Sequence, residues 1–381
     1  MVPGGDIGEL PLQMSMSEPL DFAAVTTGNR NRGTQERIYI GNRDQFHMHG
    51  VLSYQIQADA STNSTGLPTD AVVTSTTLRL FAVSYENYNP SVPLDVDVYM
   101  LDKEFIEEEV TWDQAADGDP WLVPGAADGG STLMGSFQFT GEALDSVAID
   151  TLIVVLDSLL MDQFVRSGEK TLSLALVPSD QDAWFSMTAR EIDPDSPISA
   201  EIDLVYHIEG STTNSALDRR AKGDATITGF TGSVNPDMMT VGEIPSGQAF
   251  FQYDLSSLPA NATINRALLH VKVFDAAYVD TFQVVVFTAD SKEFVDQVLT
   301  TSSVSQGVGA DTDSLALDVT LGVQRVLAVD SLGTSHYFVL GSQNAVNVGG
   351  FVQFYPPDWQ DASMRPLLEL IYTDAPANAI P

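Results

Sequence analysis

Three turns carry aspartates in Asp-x-Asp spacing, which allows two carboxylates to approach one cation. Ca²⁺ binds several oxygen ligands at flexible geometry, and loops with alternating carboxylates provide them. Aspartate also starts turns by accepting a hydrogen bond from its own backbone, so a purely structural role is the alternative, and no pair has EF-hand spacing. The sequence predicts structural Ca²⁺ as the candidate cofactor, with candidate ligands Asp117, Asp119, Asp193, Asp195, Asp311 and Asp313.

Two histidines, His47 and His49, are separated by one residue. On a strand, such positions face the same side, which brings two imidazoles together as a metal site requires. A third ligand is needed, and the sequence assigns none. The favoured interpretation is two solvent-facing histidines on an edge strand.

Aromatic side chains in or near turns form the third candidate group. A pyranose ring has an apolar face that packs on an aromatic ring, while carboxylates and amides bind its hydroxyls. Core filling is the competing role for tryptophan, and it is favoured for Trp112 in its Val-Thr-Trp strand. Trp121 lies between two loop prolines and is the favoured exposed candidate. The candidate ligand-binding residues are Trp121, Tyr85, Tyr88, Trp184, Tyr355 and Trp359.

Enzyme signatures are absent from the sequence, including a nucleophile elbow, His-Glu-x-x-His, a phosphate loop and a dinucleotide fingerprint. Three consecutive glutamates at 107–109 say little about glycosidase activity, because clusters are expected among 52 acidic residues. We therefore predict no enzymatic activity and no catalytic residue. A polysaccharide lyase or hydrolase is the alternative, which product release from glycans would reveal.

Short strands must position these side chains. Alternating apolar residues, broken by Gly, Pro, Asp, Asn and Ser, predict antiparallel strands with one buried face. They occur at 78–82, 172–176, 202–207, 269–273 and 282–286. Residues 152–164 and 321–327 instead predict one short amphipathic helix per half, capped by Asp150 and Asp318. The predicted fold is all-β, with two tandem antiparallel jelly-roll β-sandwich domains that each have one short helix.

Ordered similarities between the halves indicate an internal duplication. Residues 103–111 align with 292–300, and Leu67-Pro68 aligns with Leu258-Pro259, while matches further along keep a constant smaller offset. A single deletion in the second copy explains both offsets. The predicted organisation is a tether or extended strand at 1–21, domains at 22–209 and 222–374, a linker at 210–221 and a tail at 375–381.

Residues 251–259 (Phe-Gln-Tyr-Asp-Leu-Ser-Ser-Leu-Pro) and the strand at 267–273 resemble the opening of DNRLRE-type domains. The first copy adds Val110-Thr111-Trp112 and Asp119-Pro120-Trp121. These bacterial and archaeal extracellular modules are related to carbohydrate-binding module family 96. The resemblance covers nearly the whole chain and implies jelly-roll sandwiches with a polysaccharide ligand. The second copy lacks the tryptophan pair, so if that region forms the family's ligand surface, the second copy is expected to be purely structural.

Composition limits the classes of partner. The chain has 381 residues, a formal net charge of −35 at pH 7, 44% hydrophobic residues and no cysteine. Disulfides and full disorder are therefore excluded, and a field this negative repels nucleic acids. Abundant carboxylates with few lysines suit a halophilic or marine protein, with an ordinary acidic secreted protein as the alternative.

Targeting signals are not evident. No apolar run reaches roughly eighteen residues, so no transmembrane segment is predicted. Residues 1–6 lack the basic start and apolar middle of a signal peptide, which leaves a cytoplasmic protein or a mature form without its leader. We favour an extracellular or cell-surface protein, with a lipoprotein whose leader has been removed as one variant.

Two functions fit these patterns. The first is a non-enzymatic secreted or cell-surface protein that binds polysaccharide or another surface polymer. The second is a structural subunit of an extracellular filament or surface layer, which self-associates through residues 8–20. In that segment Leu10, Leu12, Met14 and Met16 alternate, so an added strand would present one apolar face to a neighbouring sheet.

Overall fold

The structure is a computed structural model, and its contacts divide the chain into two compact units. The middle unit comprises residues 29–232, and the split unit comprises residues 1–28 together with 233–381. No helix among the described residues is long and apolar enough to cross a membrane. The described residues are 11–16, 18–27, 36–58, 66–87, 93–126, 131–139, 150–190, 198–259, 262–278, 282–293, 304–309, 311–329, 336–343 and 349–373.

Strands account for most of the regular structure in both units. Up to residue 232 the elements are β1 (Leu12–Met16), β2 (Asp21–Thr27), β3 (Arg37–Arg43), β4 (Phe46–Gln55), β5 (Ala71–Asn87), β6 (Leu94–Met100), β7 (Gln114–Ala116), β8 (Asp119–Pro120), β9 (Thr132–Phe139), β10 (Asp150–Leu156), α1 (Ser158–Ser167), β11 (Thr171–Pro178), β12 (Ala183–Thr188), β13 (Glu201–Ile208), β14 (Ser215–Arg220) and β15 (Gly223–Phe230). Beyond it they are β16 (Met239–Glu243), β17 (Ser246–Gln252), β18 (Thr263–Tyr278), β19 (Phe282–Ala289), β20 (Val304–Val308), β21 (Ser314–Asp318), α2 (Thr320–Val329), β22 (Tyr337–Ser342), β23 (Gly350–Phe354) and β24 (Leu367–Thr373).

The middle unit is an antiparallel β-sandwich. Its eleven-stranded sheet has the order β14-β13-β5-β12-β3-β4-β11-β6-β9, with β10 on β5 and β15 on β4. The long strand β5 pairs with β13 and β10 through its first part and with β12 through its second part, so it belongs to both layers. Alternate residues of the layers, including Leu52, Leu78 and Phe185, share one buried core with Met161 and Val165 of α1.

The split unit repeats this order position by position. Its path is β1-β24-β18-β23-β16-β17-β22-β19-β20, with β21 on β18 and β2 on β17. Here the long strand is β18, which pairs with β24 and β21 and then with β23. Phe251, Leu269 and Phe354 lie in its core, and Val323 of α2 joins them. The predicted all-β class is confirmed, and the described residues form two antiparallel β-sandwiches with one α-helix each.

The first helix begins later than predicted. Residues 150–156 are rich in β-branched side chains, which favour strands, and they pair with β5 along their whole length. Asp150 is therefore a strand residue, and its prediction as a helix cap is wrong. The cap is Asp157, whose carboxylate accepts hydrogen bonds from two amides of the first turn. In the second half Asp318 is the last residue of β21, and its Oδ1 accepts a hydrogen bond at 2.9 Å from the amide of Thr320, the first residue of α2.

The units also divide the chain differently from the predicted domains. The predicted linker at 210–221 contains β14, which pairs with β13, and the predicted second domain begins with β15, which pairs with β4 of the middle unit. The predicted tether contains β1, and β1 and β2 both pair with strands of the split unit. The polar composition near Gly210 belongs to a turn between two strands, so composition alone misplaced the boundary.

Candidate functional site

Strands β1 and β2, which are consecutive in the chain, are hereafter called the N-terminal strand pair. Each of them adds to a different strand of the split unit, and together they complete its sheet. Strand β2 is paired with β17 along its whole length, from Asp21↔Gln252 to Thr27↔Ser246. Just before it, Leu20 N donates a hydrogen bond to Gln252 O at 2.6 Å. The Phe22 ring packs on the buried core, with its centroid 5.7 Å from that of Phe251. Backbone pairing and an aromatic anchor thus hold β2 in one register.

Strand β1 adds to the other layer of the same sandwich, along β24. Met14 and Met16 pack against the core, which leaves Ser15 and Gln13 on the outward face. Gln13 Nε2 donates a hydrogen bond to Glu369 Oε1 at 2.6 Å. Met14 and Met16 belong to the apolar alternation predicted for this segment. They therefore pack against the split unit of the same chain. Residues 8–10 lie outside the described part of the chain.

A polar contact fixes the start of β2. Asp21 Oδ2 lies 2.7 Å from Lys292 Nζ and accepts a second hydrogen bond from the Tyr337 hydroxyl at 3.0 Å. These two donors, the lysine first, hold the pKa of Asp21 below its ordinary value. The same contact raises the pKa of Lys292. The chain has only 17 basic residues, so a lysine that meets one carboxylate of the added strand contributes to specificity.

Trp121 is buried, which contradicts its prediction as an exposed stacking residue. It is 6% exposed and belongs to a cluster with Phe105, Val110 and Ile227 on the outer side of the middle unit. Its indole N–H donates to Thr111 O at 2.9 Å. The prolines around it mark a loop that folds back onto the sheet, so loop composition did not imply exposure.

Trp184 is also buried, 3% exposed, with its ring centroid 5.5 Å from that of Tyr39. It lies on β12 in the interior of the sheet, so the prediction that it is a stacking residue at the surface is wrong. The side chain of Tyr85 and the whole of Tyr88 lie outside the described part of the structure. The predicted platform in the first copy therefore loses its two tryptophans.

Tyr355 and Trp359 do come together, at the end of β23 and in the loop that follows it. Their ring centroids are 5.3 Å apart, and both side chains are partly exposed. Phe274, which the sequence did not single out, meets Tyr355 edge-on at 5.5 Å and is 41% exposed. Arg365 Nε donates to Trp359 O at 2.7 Å and steadies the loop. This aromatic cluster is the part of the predicted ligand surface that the described residues assemble.

The aspartate turns do not converge in the described part of the chain. Lys103 Nζ lies 2.7 Å from Asp119 Oδ1, so a protein cation already neutralises this carboxylate. Asp117 accepts from Gln114, and Asp311 and Asp313 are exposed. Asp193 and Asp195 lie outside the described residues. Among described residues no group of three or more His, Asp or Glu side chains is placed to hold a metal ion.

The two histidines lie on β4, an interior strand with three neighbours, so their placement on an edge strand is wrong. His49 packs on Trp112 with ring centroids 4.7 Å apart, and its Nδ1 donates to Gly125 O at 2.7 Å. Burial lowers the pKa of His49 to about 4, which keeps the ring neutral at pH 7. His47 Nδ1 is bonded to Asn42 Oδ1 at 2.7 Å. Both rings thus serve the packing of the loop around Trp112.

Comparison with known proteins adds no assignment. No protein-family model matches the chain, and no curated protein matches it. The resemblance to DNRLRE-type domains therefore stays a prediction from the residues alone.

Proposed function

We propose that the protein is a non-enzymatic structural subunit of an extracellular or cell-surface assembly, whose copies are joined by strand addition through the N-terminal strand pair. The observation that supports this is the pairing of residues 12–27, which enter the sheet of the split unit as two hydrogen-bonded strands. Strand addition requires main-chain hydrogen bonds for affinity and side-chain pockets for specificity. Residues 12–27 meet both requirements, because they pair in a fixed register, pack apolar side chains on the core and form one ion pair.

A matched pair of substitutions on β2 tests this function. Phe22→Asp places a charge against the core of the split unit, whereas Ala24→Asp places the same charge at an exposed position of the same strand. We expect the full chain and A24D to form assemblies that light scattering and electron microscopy detect at high protein concentration, and F22D to stay monomeric. Circular dichroism monitors the remaining fold. Equal assembly by F22D, or no assembly by the full chain, would contradict the proposal.

Contact with a surface polysaccharide is the second candidate function, and the aromatic cluster Phe274–Tyr355–Trp359 favours it. Partly exposed rings beside one another offer an apolar face to a sugar ring. Trp359→Ala tests the cluster, with Trp121→Ala as the buried control. If this function holds, W359A loses retention on immobilised glycans while the folded W121A fraction keeps it. Equal retention by W359A and the parent chain would remove the cluster as a binding site.

A further inference from the structure

The N-terminal strand pair has a counterpart inside the chain. Strands β14 and β15 join the middle unit at the positions where β1 and β2 join the split unit: β14 on β13 as β1 on β24, and β15 on β4 as β2 on β17. Both pairs hold the same places in two sheets of identical order. Each sandwich therefore consists of a core and a strand pair that comes from outside that core in the sequence.

Side chains of the two pairs have matching roles. In β15, Ala225 and Ile227 pack in the outer apolar cluster of the middle unit. In β2, Ala23 and Val25 pack against the outer cluster of the split unit, which contains Phe250 and Val339. Leu217 of β14 and Met14 of β1 both pack against the main core of their sandwich. The correspondence thus reaches single positions.

Chain order gives this correspondence a direction. The pair β14–β15 follows the core that it completes and immediately precedes the next core, to which residues 231–238 connect it. The pair β1–β2 likewise precedes a core, which begins at β3. Residues 28–36 connect the pair to that core, and this segment is nearly as long as 231–238. The pair β14–β15 completes the core that precedes it in the sequence. If β1–β2 followed the same order, it would complete a core that precedes it. Within the chain it occupies the later core instead.

We infer that the N-terminal strand pair of one copy completes the core at 239–373 of another copy. Copies then join head to tail, and each junction between copies reproduces the β14–β15 junction inside the chain. This inference rests on the proposed function and deepens it, because it identifies the partner, the donor strands and the acceptor strands β24 and β17. Such an interface is heterologous, so it propagates as a filament unless the copies close into a ring.

The self-paired chain is the competing state, because one strand pair cannot occupy two acceptors. Within one chain the strand pair and its acceptor core are joined through residues 28–238, so the acceptor has an effective concentration that does not depend on the protein concentration. Exchange between copies is therefore favoured at high protein concentration, and most of all when chains fold together and no acceptor is yet occupied. This exchange has the form of domain swapping.

The absence of cysteine from the sequence makes the exchange directly testable. Ser15 and Glu369 are opposed residues of β1 and β24, on the outward side of the pair. Opposed residues of antiparallel strands have Cα atoms about 4.5–5.5 Å apart, within disulfide range. Ser15→Cys in one full chain and Glu369→Cys in another therefore give a cross-copy disulfide only if β1 of the first pairs with β24 of the second.

The internal counterpart supplies the matched control, Asp218→Cys with Asp203→Cys on β14 and β13. A short turn at 209–214 connects these strands, so each β14 stays with its own β13. Equimolar single-thiol chains are refolded together from urea at high concentration, oxidised and separated without reductant. If all pairs exchange at random, about a quarter of the β1–β24 junctions are cross-linked between copies. The control mixture gives no such band above the background of each thiol variant alone.

The chain that carries both S15C and E369C separates the two proposals. A disulfide within single chains, with no cross-copy band in the mixture, overturns exchange of the strand pair into the core at 239–373. Assembly of the same sample in light scattering would then keep the proposed structural role, and a monomeric sample would overturn both. No disulfide in either sample, while the D203C/D218C chain oxidises normally, removes the pairing of β1 and overturns both. A cross-copy band in the S15C plus E369C mixture alone supports the exchange.

Discussion

Phe22→Ala measures how firmly the N-terminal strand pair is held. Burial of a whole phenylalanine is worth about 3–5 kcal/mol against alanine, and Phe22 is partly buried against Phe251, so we expect a loss of about 2 kcal/mol. That loss raises the open population of residues 12–27 by about thirtyfold, since about 1.4 kcal/mol corresponds to a factor of ten. In this variant we expect β1 to keep its register on β24, and β2 to keep its register on β17.

Thermolysin cleavage within residues 12–27 is the assay, because proteolysis of a segment that opens and closes rapidly follows its open population. We expect F22A to be cleaved there about thirtyfold faster than the parent chain. Phe274→Ala makes the same substitution at a residue that is 41% exposed on the split unit, and it should leave the cleavage rate unchanged. Cleavage of F22A within about twofold of the parent rate would refute the anchoring role derived from the structure.

Three further predictions concern the middle unit and the metal. Trp121→Ala lowers the free energy of unfolding by about 3–5 kcal/mol and the melting temperature with it, because the side chain is buried; an unchanged melting temperature would show that it is exposed. The pKa of His49 is about 4 in the folded protein against 6.5 ordinarily, so the unfolded chain takes up the proton first and stability falls as the pH drops from 6.5 toward 4. The loss reaches about 3 kcal/mol, and urea unfolding at pH 7 and pH 4 should show this dependence reduced in H49Q but not in the control H207Q. If the aspartate turns bind Ca²⁺, chelation lowers the melting temperature; an identical melting curve would argue against structural calcium.

Period-two alternation was sufficient to predict the strands and the class of fold. Leu78, Leu80 and Leu174 are all buried as the pattern requires, because strand side chains alternate between core and solvent whatever the sheet order. Alternation failed at 150–156, where apolar residues also occupy exposed positions. Ile153 and Val155 are 67% and 72% exposed, so the run imitates helical spacing while its β-branched residues form a strand.

Pairing partners could not be predicted, because hydrogen bonds between strands leave no local mark in the sequence. The segment Asp21–Thr27 is apolar at consecutive positions, which indicates a buried strand without saying which sheet buries it. Tyr355 and Trp359 were found from sequence because they lie in one loop. Phe274 was missed, since it reaches that cluster only through pairing of β18 with β23. The exposure of Trp121 was mispredicted, because the neighbouring prolines indicate a loop but do not indicate whether the side chains of that loop are exposed.

Amide hydrogen exchange on the unmodified full chain tests most directly whether residues 12–27 are strands of a sandwich. Peptides that cover 21–27 and 12–16 are followed by mass spectrometry beside peptides from their partner strands, 246–252 and 367–373. The structure predicts slow exchange in the N-terminal peptides, at rates that approach those of the partners, since the same ladders protect both. Exchange of residues 12–27 at the rate of an unfolded peptide, while β17 and β24 stay protected, would contradict the account.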